Sequence, residues 1–146
     1  MARAPALMSL IPLATLLSGC VVVADNDYEE PAPVYNYLPA IGPAASGCYW
    51  DDGYRDFIWW FEAEVYDDDG PGDVAEVWAD VYDVYGNHIE TFRLYRETPD
   101  PYYWFSDWLQ YSTNLDCYYG GYEIDIVAYD RMDDYDAVTI YPATWY

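Results

Sequence analysis

Phe57-Ile58-Trp59-Trp60-Phe61-Glu62-Ala63-Glu64-Val65-Tyr66-Asp67 decides the fold class. Phe57, Trp59, Phe61, Ala63 and Val65 fall on one side of an extended chain. Trp60, Glu62, Glu64 and Tyr66 fall on the other. That period of two belongs to a strand with one face buried. Asp67-Asp68-Asp69-Gly70-Pro71-Gly72-Asp73 follows, and it carries the composition of a turn. Val74 to Asp83 then alternates again, with Ala75, Val77, Ala79 and Val81 opposite Glu76, Trp78, Asp80 and Tyr82.

Working outward, Tyr85-Gly86-Asn87-His88 makes a tight connection, with Gly86-Asn87 suited to positive φ. His88 to Arg96 returns as the hairpin partner, with Phe92 and Leu94 inward. Thr98-Pro99-Asp100-Pro101 breaks the chain. Tyr102 to Gln110 reads as a strand of open register, because Trp104, Phe105, Trp108 and Leu109 occupy both parities. Tyr122 to Asp130 alternates cleanly, Arg131 to Asp136 is an acidic turn, and Ala137 to Tyr141 reads as the last strand. A short strand near Cys48-Tyr49-Trp50 completes a set of about seven, the spacing of an all-β sandwich.

Gly121-Tyr122-Glu123-Ile124-Asp125-Ile126-Val127-Ala128-Tyr129-Asp130 resembles the penultimate strand of bacterial immunoglobulin-like and fibronectin-like domains. The resemblance covers roughly residues 48 to 142 and implies an Ig-like antiparallel β-sandwich. It says little of function, since that fold hosts many unrelated roles. Leu115, two before Cys117, stands where antibody-type domains carry a corner Tyr.

The 146-residue chain has 27 acids, five Arg and no Lys. So acidic a surface argues against nucleic acid, whose phosphates are met by Lys and Arg, and against anionic lipid heads. High charge alone would suit a disordered chain, but 21% aromatic residues would not. Tyr and Trp suit a half-buried sheet, with the acids as solvated outer faces that discourage edge pairing.

Met1-Ala2-Arg3 followed by the apolar run Ala4 to Leu17 has the anatomy of an export signal, too short to span a membrane. Its ending, Leu17-Ser18-Gly19-Cys20, resembles the lipobox of bacterial lipoproteins. The resemblance implies cleavage after residue 19 and acyl chains on Cys20, enough of them for a stable anchor. Val21 rather than Asp after that Cys implies sorting to the outer membrane. Residues 20–47, with Pro31, Pro33, Pro39 and Pro43 among acids, Ala and Gly, read as a flexible tether of about 30 Å. An alternative packs Val34, Tyr35 and Tyr37 along the head as an edge strand. The head is then 48–146, and in an oxidising compartment Cys48 and Cys117 are expected to pair.

No catalytic constellation is visible. His88, the single histidine, sits at a turn, and neither a Gly-x-Ser-x-Gly arrangement nor a phosphate-cradling Gly loop occurs. The chain is therefore read as non-enzymatic. Two features remain as candidate binding sites. Asp67, Asp69 and Asp73 with Asp130 and Asp133 form acid-rich turns suited to calcium, a hard cation that takes clustered oxygens. An outward aromatic row, Trp60, Trp78 and Tyr82, offers a platform for sugar rings or protein contacts. The sequence thus predicts a lipid-anchored envelope lipoprotein displaying a structural or interaction module, with an envelope protein or polysaccharide as partner. The alternative is a carbohydrate- or calcium-binding module.

Overall fold

The computed structural model describes residues 35–144. The expected signal 1–19, the lipidation site Cys20 and residues 21–34 of the expected tether lie outside the described residues. Eight strands are present among the described residues: β1 (Ala40–Asp51), β2 (Asp56–Tyr66), β3 (Val74–Tyr82), β4 (His88–Arg96), β5 (Tyr103–Leu109), β6 (Glu123–Asp130), β7 (Tyr135–Ile140) and β8 (Ala143–Thr144). A single 3-10 turn, Gln110–Ser112, is the nearest thing to a helix there. The protein is all-β, as its alternation predicts.

The strands run in the order β7-β6-β3-β4-β5-β2-β1-β8. All neighbours are antiparallel except β8, which lies parallel to β1 through Gly47 and Cys48. The sheet curls on itself at β4. From His88 to Leu94 that strand pairs with β3, whereas Tyr95 and Arg96 pair with Phe105 and Trp104 of β5. A strand that changes partners in this way turns a corner, so the two halves face each other across one core.

That core is made of the residues the alternation selects. Trp59, Phe61, Ala63 and Val65 of β2 meet Val77, Ala79 and Val81 of β3, Phe92 and Leu94 of β4, and Ile124, Ile126 and Ala128 of β6. Phe61 stacks on Phe92 with ring centroids 4.7 Å apart, and Trp59 meets Tyr122 edge-on at 5.7 Å. The open register of β5 is settled by burial. Trp104 and Ser106 point inward, and Trp108 follows them at the rim, tilted against Phe92.

Three local departures from the sequence reading stand out, and the edge strand weighed as an alternative for Tyr35 and Tyr37 is not formed. Ala40–Gly47, expected as tether, forms the first part of β1, where Gly and Ala let the strand lie close against β2. Pro43 is tolerated because the pairing slips between Ile41 and Ala44, a bulge that asks nothing of its missing N–H. Ala75 is exposed rather than buried, because a second irregularity between Val74 and Glu76 puts Val74 inside instead. Tyr135 and Asp136, assigned to a turn, already pair with Tyr129 and Ala128 in β7. Tyr35 and Tyr37 form no edge strand, since residues 35–39 are irregular.

Cys48 and Cys117 are joined by a disulfide, their Cα atoms 5.8 Å apart and both side chains buried. The bond ties β1 to the loop before β6.

Candidate functional site

Three strand ends converge at one end of the sheet. β2 stops at Tyr66, so Asp67 is the first residue beyond it. Asp73 immediately precedes β3, and Asp130 closes β6 opposite Val74. The intervening turn is built by its own backbone. Gly70 N–H donates to the Asp67 carbonyl at 3.0 Å and Asp73 N–H to the Gly70 carbonyl at 2.9 Å. Gly70 takes φ 107°, which only glycine adopts without strain. The turn doubles back and brings Asp73 to Asp67.

Asp67, Asp73 and Asp130 each present a carboxylate oxygen, and these oxygens all lie within 4.8 Å of one another. The three groups are not equally satisfied. Asp130 is fully buried, and its Oδ1 accepts from the backbone N–H of Met132 at 2.7 Å and of Asp134 at 2.9 Å. Its Oδ2 accepts from Asn36 Nδ2 at 2.6 Å. Burial opposes its ionisation, but these donors together hold its pKa below the ordinary carboxylate value. Asp67 is 9% exposed, and its Oδ1 accepts from Asp69 N–H at 2.8 Å. Its Oδ2, like Asp73 Oδ2, is buried with no hydrogen-bond partner. Burial pushes the Asp67 pKa up, and the carboxylates of Asp73, Asp69 and Asp130 push it further.

Of the five acids predicted for calcium, the structure therefore brings together three. Asp69 turns away, accepting from Tyr37 N–H at 2.8 Å on the exposed side of the turn. Asp133 is exposed at φ 65°, where it shapes the reversal into β7. Sequence reasoning missed Asn36, whose side chain bridges Asp130 and Asp134 Oδ2, the latter at 3.0 Å. A lone Asn nearly a hundred residues away carries no local signal.

The aromatic row is not one surface. Trp60 belongs to β2 and packs over Gly47 of β1. Trp78 and Tyr82 lie on β3, in the opposite half of the curled sheet. All three are half-buried rather than free platforms. Trp78 carries the Arg93 guanidinium at 5.3 Å from its ring and donates to Glu76 Oε2 at 3.1 Å. Tyr82 meets His88 edge-on. A different aromatic strip forms where β4 crosses to β5. Tyr95, Glu97, Phe105, Asp107 and Trp108 line a hollow of about 370 Å³. Phe105 and Glu97 are shared with a second hollow of about 390 Å³ beside Asp100 and Tyr103. The undecided register of β5 hid this strip from the sequence.

His88 has neighbours that superficially suggest a relay. Its Nε2 lies 2.9 Å from Thr91 Oγ1 and 3.6 Å from Asp80 Oδ1. Thr91, however, donates to Asp80 at 2.5 Å. Both groups sit at the same ring nitrogen, whereas a Ser-His-Asp relay sets the carboxylate on one nitrogen and the nucleophile on the other. The chain matches no protein-family model, no curated protein and no solved structure.

Proposed function

We propose that the protein is a lipid-anchored module of the bacterial envelope, in the outer membrane, displaying a non-enzymatic Ig-like β domain. Acyl chains on Cys20 hold it in the membrane, and the domain works by contact with an envelope protein or polysaccharide. The observation that carries this reading is the Cys48–Cys117 disulfide. It speaks for an oxidising compartment. It also uses two of the three cysteines and leaves Cys20 alone at the end of Leu17-Ser18-Gly19-Cys20.

Strand order supports the Ig-like part of the reading. β4-β5-β2-β1 repeats the D-E-B-A order of an immunoglobulin sheet, and β3-β6-β7 the C-F-G order of its partner. Here β4 edges both halves. Tyr122, immediately before β6, accepts through its hydroxyl from Asp116 N–H at 2.9 Å. That tie back to the preceding loop is the role of the corner tyrosine in such domains. The strip of Tyr95, Phe105 and Trp108 is the face best suited to a partner, since aromatic residues give large contact area with polar edges.

Metabolic labelling with an alkyne fatty acid, followed by membrane fractionation, tests the anchor. The wild type should carry label and sediment with membranes. A Cys20→Ser variant should lose both while keeping the Cys48–Cys117 bond. Unlabelled wild-type protein, or a variant that stays in the membrane fraction, would refute the reading.

A further inference from the structure

We propose that Asp67, Asp73 and Asp130 bind one calcium ion, which joins the β2–β3 and β6–β7 turns on which residues 36–37 rest. Proximity of carboxylates alone would not carry this, since an acidic chain gathers acids by chance. The independent observation is the orphaned oxygen. Asp67 is nine-tenths buried, its Oδ2 has no donor, and the same carboxyl group brings an oxygen within 4.8 Å of one from Asp73 and one from Asp130. A buried carboxylate oxygen without a donor or cation is costly. Neither of the ion pairs found among the described residues, Arg93–Glu76 and His88–Asp80, reaches the triad. One cation would satisfy Asp67 Oδ2 and Asp73 Oδ2 together and relieve the repulsion among three acids.

Calcium fits better than its smaller relatives. It takes six to eight oxygens at about 2.3–2.6 Å in irregular geometry, whereas magnesium demands a tight octahedron at about 2.0–2.1 Å. Three carboxylates carried on two separate turns suit the ion that accepts irregular geometry. Three carboxylates, with water completing the shell, resemble a weak extracellular site more than a tight sensor. The expected affinity is about 0.1–1 mM. The site would also stiffen the entry to the domain. Asn36 donates to Asp130 and Asp134, and Tyr37 N–H to Asp69, so residues 36–37 rest on the same two turns.

The test is calorimetric titration of calcium chloride into the full chain after chelator treatment, with magnesium chloride in parallel and thermal unfolding in each salt. Calcium should give saturable heat at one equivalent and raise Tm more than magnesium does. Asp73→Asn should weaken binding at least about tenfold and abolish the calcium-dependent rise in Tm. Its melting temperature without calcium should match or exceed the wild type, because it removes one repelling charge. Asp67→Asn should behave alike, and if it fails to fold, Asp73→Asn still decides. Asp69→Asn and Asp133→Asn should keep both responses. No heat up to about 10 mM calcium would overturn the proposal. So would equal shifts from the two salts, or calcium binding that survives Asp73→Asn.

Discussion

At the scale of single residues, the acidic surface is held by phenols as much as by charge pairs. Tyr103 donates to Glu62 Oε2 at 2.5 Å, across the β2–β5 pairing. Burial first, and then the bond to Glu62, push its pKa up to about 12. The proton stays on longer in the folded than in the unfolded chain, so the favoured folded form is the neutral phenol. Its contribution is therefore complete below pH ~10, the unfolded value, and is lost as pH rises from about 10 to 12. Tyr103→Phe should delete one late step from a spectrophotometric tyrosinate titration and flatten the fall of Tm over that range. An unchanged late step would refute the assignment. Phe61 makes the simpler case, being fully buried and stacked on Phe92. Phe61→Ala should cost about 3–5 kcal/mol in urea unfolding, because a ring-sized cavity in a two-sided core cannot collapse. Core residues of this kind were legible in the sequence because the side-chain period of a strand is itself the burial signal. Tyr122 was half legible. Its burial followed from the alternation, but its hydroxyl bond to Asp116 N–H depends on a loop conformation that no pattern encodes.

At the scale of the element, legibility tracks how each strand obtains its partner. β2, β3, β4 and β6 alternate, and their bounds come out within a residue or two of the reading. β1 does not alternate. Its Ala, Gly and Pro read as tether, yet those small residues permit its place between β2 and β8. Gly47 shows the requirement most sharply. A Cβ there would stand 2.6 Å from the carbonyl oxygen of Ala143 and 3.0 Å from the Trp60 ring. Backbone cannot yield as a flexible side chain can, so Gly47→Ala should push β8 off β1 and leave the β1–β2 pairing in place. Hydrogen exchange read by mass spectrometry should then show loss of protection confined to peptides covering Ala143 and Thr144. Protection unchanged there would mean that the close approach is not needed. The candidate site was legible in the same uneven way. The turn after β2 supplied Asp67 and Asp73 from local composition, and Asp130 came from a second acid cluster. Which of the five acids converge was decided by the β3–β6 register and the double bend at Gly70.

At the scale of the whole molecule, the curled sheet brings β1 near the terminal strand β7 without pairing their backbones, and side chains and the disulfide close that side. Ile41 N–H of β1 donates to Asp136 Oδ2 of β7 at 2.9 Å, and Asn36 reaches Asp130 at the same end. At the other end Cys48 is bonded to Cys117 across 69 residues of chain. An all-β fold of this kind depends on pairings distant in sequence, and closing such loops costs the unfolded chain entropy that a covalent link removes in advance. The chain-entropy account puts that gain at about 4 kcal/mol for a loop of this length. Replacing both cysteines by Ala avoids a free thiol and should lower stability in urea by about that amount, with the β-sheet circular dichroism retained in water. Because both sulfurs are buried, reductant should remove the bond slowly in the native state and quickly in urea. Equal stability of the double variant and the wild type would show that the Ile41–Asp136 and Asn36–Asp130 contacts already hold the open side shut. The disulfide would then report only the compartment in which the chain folds.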